Sequence, residues 1–217
     1  MLFSYDRLAP HYDSKIARLE RKFLEHLRRE AIEALPAGGR ILELGAGTGL
    51  NFQFYHPHTH GVATEPSTPM LGIAVQKEKP QGLCLVQSCG EQLPFADGSF
   101  DSALATLVMC SVKSPELVFG ELRRVVKLGG HISLLEHVRP NGLLGLAFDL
   151  GNLITVPLFG DHLNRRTVEY ARNAGLKVAS VKKFRWGIMN LITCVNTISD
   201  PRSQISFDRP VDLRSGI

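Results

Sequence analysis

The stretch Arg40-Ile41-Leu42-Glu43-Leu44-Gly45-Ala46-Gly47-Thr48-Gly49 decides the fold. Residues 40–44 are a short, mostly apolar run with the character of a buried strand. Residues 45–49 carry three glycines, and a helix is expected from about Thr48. A strand that runs into glycines and then a helix belongs at the carboxyl edge of an open α/β sheet, where ligands bind. Upstream, Ile16, Leu19, Phe23, Leu27, Ala31 and Leu35 recur every three or four residues against Lys15, Arg18, Arg21, Lys22, Arg28 and Arg29. This predicts an amphipathic helix over 14–35, ended by Pro36 to Gly39.

Downstream, strands are expected at 61–64, 83–87, 102–109 and 131–135, with helices at 68–77 and 115–127 among them. That alternation specifies parallel strands with crossover helices on both faces. Past Gly142 the regularity changes. An apolar segment, a helix at 164–174 and strands at 177–184 and 189–197 predict an antiparallel close. The expected fold is α/β, Rossmann-like and doubly wound: a mostly parallel seven-stranded sheet with an antiparallel closing strand.

With 217 residues, 21% charged and 44% hydrophobic, the chain suits one domain rather than a disordered or membrane-spanning one. The net charge of +4 is spread along the chain without a basic and aromatic stripe, so no nucleic-acid partner is expected. Cys84, Cys89, Cys110 and Cys194 form no C-x-x-C pair, and His56, His58 and His60 have no nearby Cys or carboxylate to complete a chelating set. Free thiols and no metal are expected. No basic-then-apolar leader is visible, and the 142–160 segment is broken by Asp149, Asn152 and Pro157, so the expected location is cytoplasmic. A basic helix can lie on anionic lipid, which makes a peripheral membrane contact through the 14–35 helix a further expectation. Nothing in the sequence sets the oligomeric state.

Twenty residues past Gly45, at the end of the next expected strand, stands Glu65, an acid placed to accept both hydroxyls of an adenosine ribose. A dinucleotide fingerprint would need glycine or alanine at position 50, which is Leu50, so a nicotinamide cofactor fits less well. Three blocks resemble the class I S-adenosylmethionine (SAM) dependent methyltransferases of the methyltransferase-11 type. They are residues 41–51, Glu65-Pro66-Ser67 with Met70-Leu71, and Gly90-Glu91-Gln92-Leu93-Pro94-Phe95-Ala96-Asp97-Gly98-Ser99-Phe100-Asp101. The resemblance extends over about 5–175 and implies SAM as cofactor.

It also implies site residues. Glu43 would lie near the methionine part of SAM, with Gly45, Ala46, Gly47 and Gly49 along its path and Glu65 at the ribose. Pro66 and Met70 would pack by the adenine, Gly90 and Glu91 would meet its edge, and Thr106 would face the cofactor from the end of the fourth strand. Many relatives have Asp where this chain has Cys89, so Glu91 or a backbone carbonyl would replace that contact. The domain expected spans 1–198, with 1–36 as lid and amphipathic helix and 142–175 as a substrate-side insertion, followed by a tail at 199–217.

The sulfonium of SAM already activates its methyl group, so the protein need mainly hold an acceptor in line and exclude water. A base is required only for an acceptor protonated at neutral pH. His137, at the end of the fifth strand, is the first choice; Asp161 and His162 could reach the site from above, and a scaffold role is the plainer reading of all three. Tyr5 to Asp13 resembles the entrance lid of quinone and phospholipid methyltransferases, and residues 106–139 resemble enzymes associated with lipid surfaces and small thiols. The expected partner is a small apolar or amphiphilic acceptor: a thiol, a quinone precursor or a phospholipid head group. A non-catalytic SAM-binding adapter stays open. So does a nucleic-acid methyltransferase, although no N/D-P-P-Y/F tetrad follows the fourth strand.

Overall fold

The structure is a computed structural model and describes residues 2–140, 142–159 and 161–197. Its strands are β1 (Arg40–Leu44), β2 (His60–Thr64), β3 (Gly82–Val86), β4 (Phe100–Thr106), β5 (Val126–His137), β6 (Lys177–Phe184) and β7 (Met189–Val195). They form one sheet in the order β3-β2-β1-β4-β5-β7-β6. β1 to β5 pair in parallel, whereas β7 runs antiparallel to both β5 and β6. The expected Rossmann-like sheet and its antiparallel close are both present.

The helices are α1 (Leu2–Leu8), α2 (Tyr12–Leu19), α3 (Glu25–Glu33), α4 (Thr68–Val75), α5 (Pro115–Val125), α6 (Gly142–Phe159) and α7 (Thr167–Asn173). The period of two in β1 sends Leu42 and Leu44 to one face of the sheet and Ile41 to the other. On the first face they meet Val118, Phe119 and Leu122 of α5 and Ala171 of α7; on the second, Leu27 and Ala31 of α3 complete the core. Each fully buried Leu or Phe in these layers contributes about 1.5–3 kcal/mol.

Three departures from the sequence reading have physical causes. The N-terminal helical run starts at Leu2 rather than Ser14, bends at a 3-10 turn over Ala9–His11 and contains a π turn at Glu20–Leu24. No α-helix follows Thr48; a single 3-10 turn, Phe52–Phe54, stands there. Gly49, at φ +83°, leaves the right-handed helical region just where the helix would start, and only the 3-10 turn forms before Pro57. The apolar segment after Pro140 is helical as α6, which period alone did not disclose.

The basic helix also needs correction. Leu24, Leu27 and Ala31 are in the core, so most of the second half of the apolar side is already covered, while Leu19 is 53% exposed. Arg28, assigned to the solvated basic face, is 4% exposed and points inward. No helix among the described residues is long and apolar enough to cross a membrane. The expected tail at 199–217 lies outside the described residues.

Candidate active site

Strand order reverses between β1 and β4, and the crevice beyond their carboxyl ends is where this architecture holds ligands. The glycine loop enters it from β1. Ala46 N–H donates to Thr64 O at 2.8 Å, tying the loop to the end of β2. Gly45 has φ +67°, and a Cβ on it would stand 2.6 Å from Val108 Cγ2, so the loop after β4 excludes any side chain there. Gly47 differs: at φ +58° it has nothing within 4 Å of a would-be Cβ, leaving open space.

Glu65 follows β2 and binds the loop directly. Its Oε2 accepts the Gly47 N–H at 2.9 Å and its Oε1 accepts the Ser67 N–H at 2.9 Å. Burial raises its pKa, with those two N–H groups opposing the shift. Ser67 then caps α4, accepting from Met70 N–H at 3.3 Å.

These elements enclose a cavity of about 470 Å3. Gly45, Ala46, Gly47, Glu65, Pro66, Met70, Gly90, Glu91 and Thr106 all line it. Cys89 does too, while Glu91 Oε1 is engaged by the Lys113 N–H at 2.8 Å. Leu107, Val108, Val112 and Leu117 give an apolar wall, and Tyr5 and Tyr12 close over from the N-terminal segment. Four contacts pin that segment. Tyr5 Oη donates to Asp161 Oδ1 at 2.7 Å and Ser67 Oγ to Asp6 Oδ1 at 2.6 Å. Asp13 accepts from Thr48 Oγ1 at 2.6 Å and from Lys77 Nζ at 2.7 Å.

Behind the loop runs a buried polar network. Arg28 Nε donates to Glu20 Oε1 at 2.7 Å, and Arg28 Nη1 donates to Thr106 Oγ1 at 2.8 Å and to Asn51 Oδ1 at 3.1 Å. Asn51 Nδ2 donates to Glu43 Oε1 at 2.8 Å, and Tyr55 Oη donates to Glu43 Oε2 at 2.9 Å. Arg28 reaches the cavity wall, but Glu43 does not. Burial pushes the Glu43 carboxyl up, opposed by the Asn51 and Tyr55 hydrogen bonds. Gly49 is also off the wall, packed under Phe52, whose Cε2 would lie 2.5 Å from an added Cβ.

His137 is likewise absent from the wall, because it sits at the end of β5 in register with Met189 of β7. Its Nδ1 is buried with no hydrogen-bond partner, and burial lowers its pKa against the opposing charge of Asp161. Its neighbour Glu136 is wholly buried and accepts the Val108 and Met109 N–H groups at 2.9 and 3.2 Å. Burial raises its pKa to about 8 despite those donors. Glu136 thus fixes the loop after β4, a role the sequence reading passed over. Arg28 was missed as well, although Glu20, Leu24, Arg28 and Ala31 are spaced to share one helical face.

Residues 42–134 match the family described as a methyltransferase domain. A human thiol S-methyltransferase is 41% identical over 110 residues, 47% of this chain and 45% of that protein. The match spans about half the length of that relative. A demethylmenaquinone methyltransferase of Thermus thermophilus is 30% identical over 164 residues, 72% of this chain and 74% of that protein. A solved Thermotoga maritima structure, described as a SAM-dependent methyltransferase and possible histamine N-methyltransferase, superposes with a TM-score of 0.70. It is 25% identical, and the superposition covers 91% of this chain and 100% of that one. A glycine loop bonded to the acid after β2, on a sheet of this order, and a match that takes in most of a relative lead to one conclusion: the chain belongs to the class I SAM-dependent methyltransferase family.

Proposed function

We propose that the chain binds SAM in the cavity beyond β1 and β4 and transfers its methyl group to a small apolar or amphiphilic acceptor. The observation that carries this reading is the Glu65–Gly47 junction: a buried carboxylate at the cavity wall, beside a glycine whose missing side chain leaves the space open. In this reading Glu65 takes the ribose hydroxyls, and Pro66, Met70, Gly90 and Glu91 surround the adenine. Gly45, Ala46 and Gly47 flank the path to the amino-acid end, which Arg28 and Thr106 border. Glu43 and Gly49 act from behind, holding the loop's shape. Residues 1–198 form the methyltransferase domain in this reading, with 1–36 as lid and helix and 142–175 on the acceptor side.

Bound there, SAM supplies a methyl carbon already activated by the adjacent sulfonium. The chain's share is to hold the acceptor in line and keep water out, which the apolar wall of Leu107, Val108 and Val112 and the lid of Tyr5 and Tyr12 favour. Among the described residues, no histidine lines the cavity. Burial holds Tyr12 protonated, its pKa pushed up to about 12, and Tyr5 donates to Asp161. Glu65 and Glu91 accept backbone N–H groups, and His137 is left as scaffold. An acceptor that ionises by itself therefore fits best. A thiol of cysteine-like acidity, with a pKa of about 8.5, does so at neutral pH to a useful extent, whereas an ammonium or a carbon acid needs a base. We rank thiols ahead of quinone precursors and phospholipid head groups, in keeping with the thiol methyltransferase among the relatives.

The test is incubation with methyl-labelled SAM and, in parallel, alkyl thiols, a quinol precursor and phosphatidylethanolamine. Labelled thioether is expected, formed at a rate that rises with pH through the pKa of the thiol. Labelling of the quinol or lipid alone would overturn the ranking. Bound SAM with no acceptor labelled would favour the adapter reading.

A further inference from the structure

α6 is turned inside out relative to an ordinary surface helix. Leu143 is 83% exposed, Leu153 73%, and Leu146, Leu150 and Ile154 each more than half. At 3.6 residues per turn these five, with exposed Ala147, fall within an arc of roughly 120° that holds no polar side chain. The polar residues of α6 face the protein. Asp149 accepts from Arg139 Nη2 at 2.7 Å, Asn152 Oδ1 accepts the Leu163 N–H at 2.6 Å, and Thr155 Oγ1 donates to Asp161 O at 2.9 Å. With its polar groups engaged within the chain, the helix offers outward a contiguous aliphatic surface, the kind of exposed patch that marks an interaction site.

A second exposed feature lies near the start of α6, where Arg139 bonds Asp149 of the helix. Pro140, which leads toward the helix, borders one depression with Lys183 near the end of β6 and Trp186 of the turn that follows it. Trp186 is the chain's only tryptophan and is 90% exposed. Lys183 and Arg185 flank it, both exposed. The Arg185 guanidinium lies 4.7 Å over the Phe23 ring.

We propose that the outward face of α6, with Trp186 and its basic neighbours, docks the protein on the surface of an anionic lipid bilayer, the helix lying in the plane of the interface. A protein partner would be expected to meet hydrogen-bonding groups among the apolar ones, and the arc provides none. A bilayer needs none: leucines enter the acyl boundary, tryptophan sits at head-group depth and lysine and arginine meet anionic head groups. The length and sequence of α6 do not suit it to cross. Docking does not depend on the proposed acceptor. If that acceptor is amphiphilic, docking also brings the cavity toward its source, since Asp161 joins α6 at Thr155 to the lid residue Tyr5.

The test uses the full chain with phosphatidylcholine vesicles, with and without phosphatidylserine, and reads both flotation and Trp186 emission. Flotation with the anionic vesicles and a blue shift, both weakened by salt, are expected. A Leu150→Ser, Leu153→Ser double variant should bind these vesicles at least about tenfold more weakly. Lys183→Glu should lower the preference for phosphatidylserine. S-adenosylhomocysteine affinity should be unchanged in both, which shows that each is folded and keeps this result separate from the fate of the methyl-transfer reading. Three outcomes overturn the proposal: no vesicle binding, binding unaffected by the serine substitutions, or a concentration-dependent dimer that those substitutions abolish with no vesicle bound.

Discussion

Arg28 shows how one side chain serves both the scaffold and the cavity. It is buried against Glu20, and its remaining donors hold Thr106 and Asn51. Arg28→Met leaves the Glu20 carboxylate buried without its partner and should lower unfolding stability by about 3–5 kcal/mol. Adding Glu20→Leu removes that orphaned charge and should restore most of the stability, measured by urea unfolding. S-adenosylhomocysteine affinity should stay low in the double variant; its full recovery would show that Arg28 has only a structural role. Glu136 carries the pH dependence. Its folded pKa of about 8 lies above the ordinary carboxylate value, so its stabilising contribution is complete below about pH 4.5 and is lost as pH rises through 8. Between pH 5 and 9 the Tm of the wild type should therefore fall relative to that of Glu136→Gln; parallel curves would contradict the assignment. Helical spacing already placed Arg28 with Leu24 and Ala31, but its charge argued for solvent. Only the partners Glu20, Asn51 and Thr106, two of them far away in the chain, reveal why it is inside.

At the scale of elements, the run from Tyr5 to Asp13 is a strap held at three points, by Asp161, by Ser67 and by Thr48 with Lys77. Asp13→Ala removes a hydrogen bond and an ion pair from the strap at a residue that is not itself on the cavity wall, although its partner Thr48 is. It should speed S-adenosylhomocysteine release on the order of tenfold in stopped flow, with association little changed. An unaltered release rate would mean that the strap does not gate the cavity. Elements whose period matched their packing were legible: β1, β2, α4 and α5 stand close to where the pattern put them. Two others were not. The helix expected after Thr48 was interrupted at its start by Gly49. α6 has no polar outer face for a period to reveal, because Asp149 and Asn152 bond inward to Arg139 and Leu163.

For the molecule as a whole, strand order could be read because alternating strands and helices admit few topologies, and the crevice followed from the order. The residues that the sequence grouped around the glycine loop and Glu65 line one cavity, Glu43 and Gly49 excepted, since loop and acid stand at fixed positions after adjacent strands. The proposed acceptor side was not legible. The rest of the cavity wall comes from the loop after β4 and from the strap, held through Tyr5 by Asp161, and these meet only in the folded chain. His137 illustrates the limit: its place at a strand end was foreseen, but β7 pairs beside it and it stays off the cavity wall.

The most direct test of the central claim is calorimetric titration of the wild type and Glu65→Ala with S-adenosylhomocysteine, with NADH as control and folding checked by circular dichroism. Saturable binding of S-adenosylhomocysteine alone, lost in the folded Glu65→Ala variant, is the predicted result. Equal affinity in both proteins, or binding of neither ligand by folded, cofactor-free wild type, would contradict the assigned pocket.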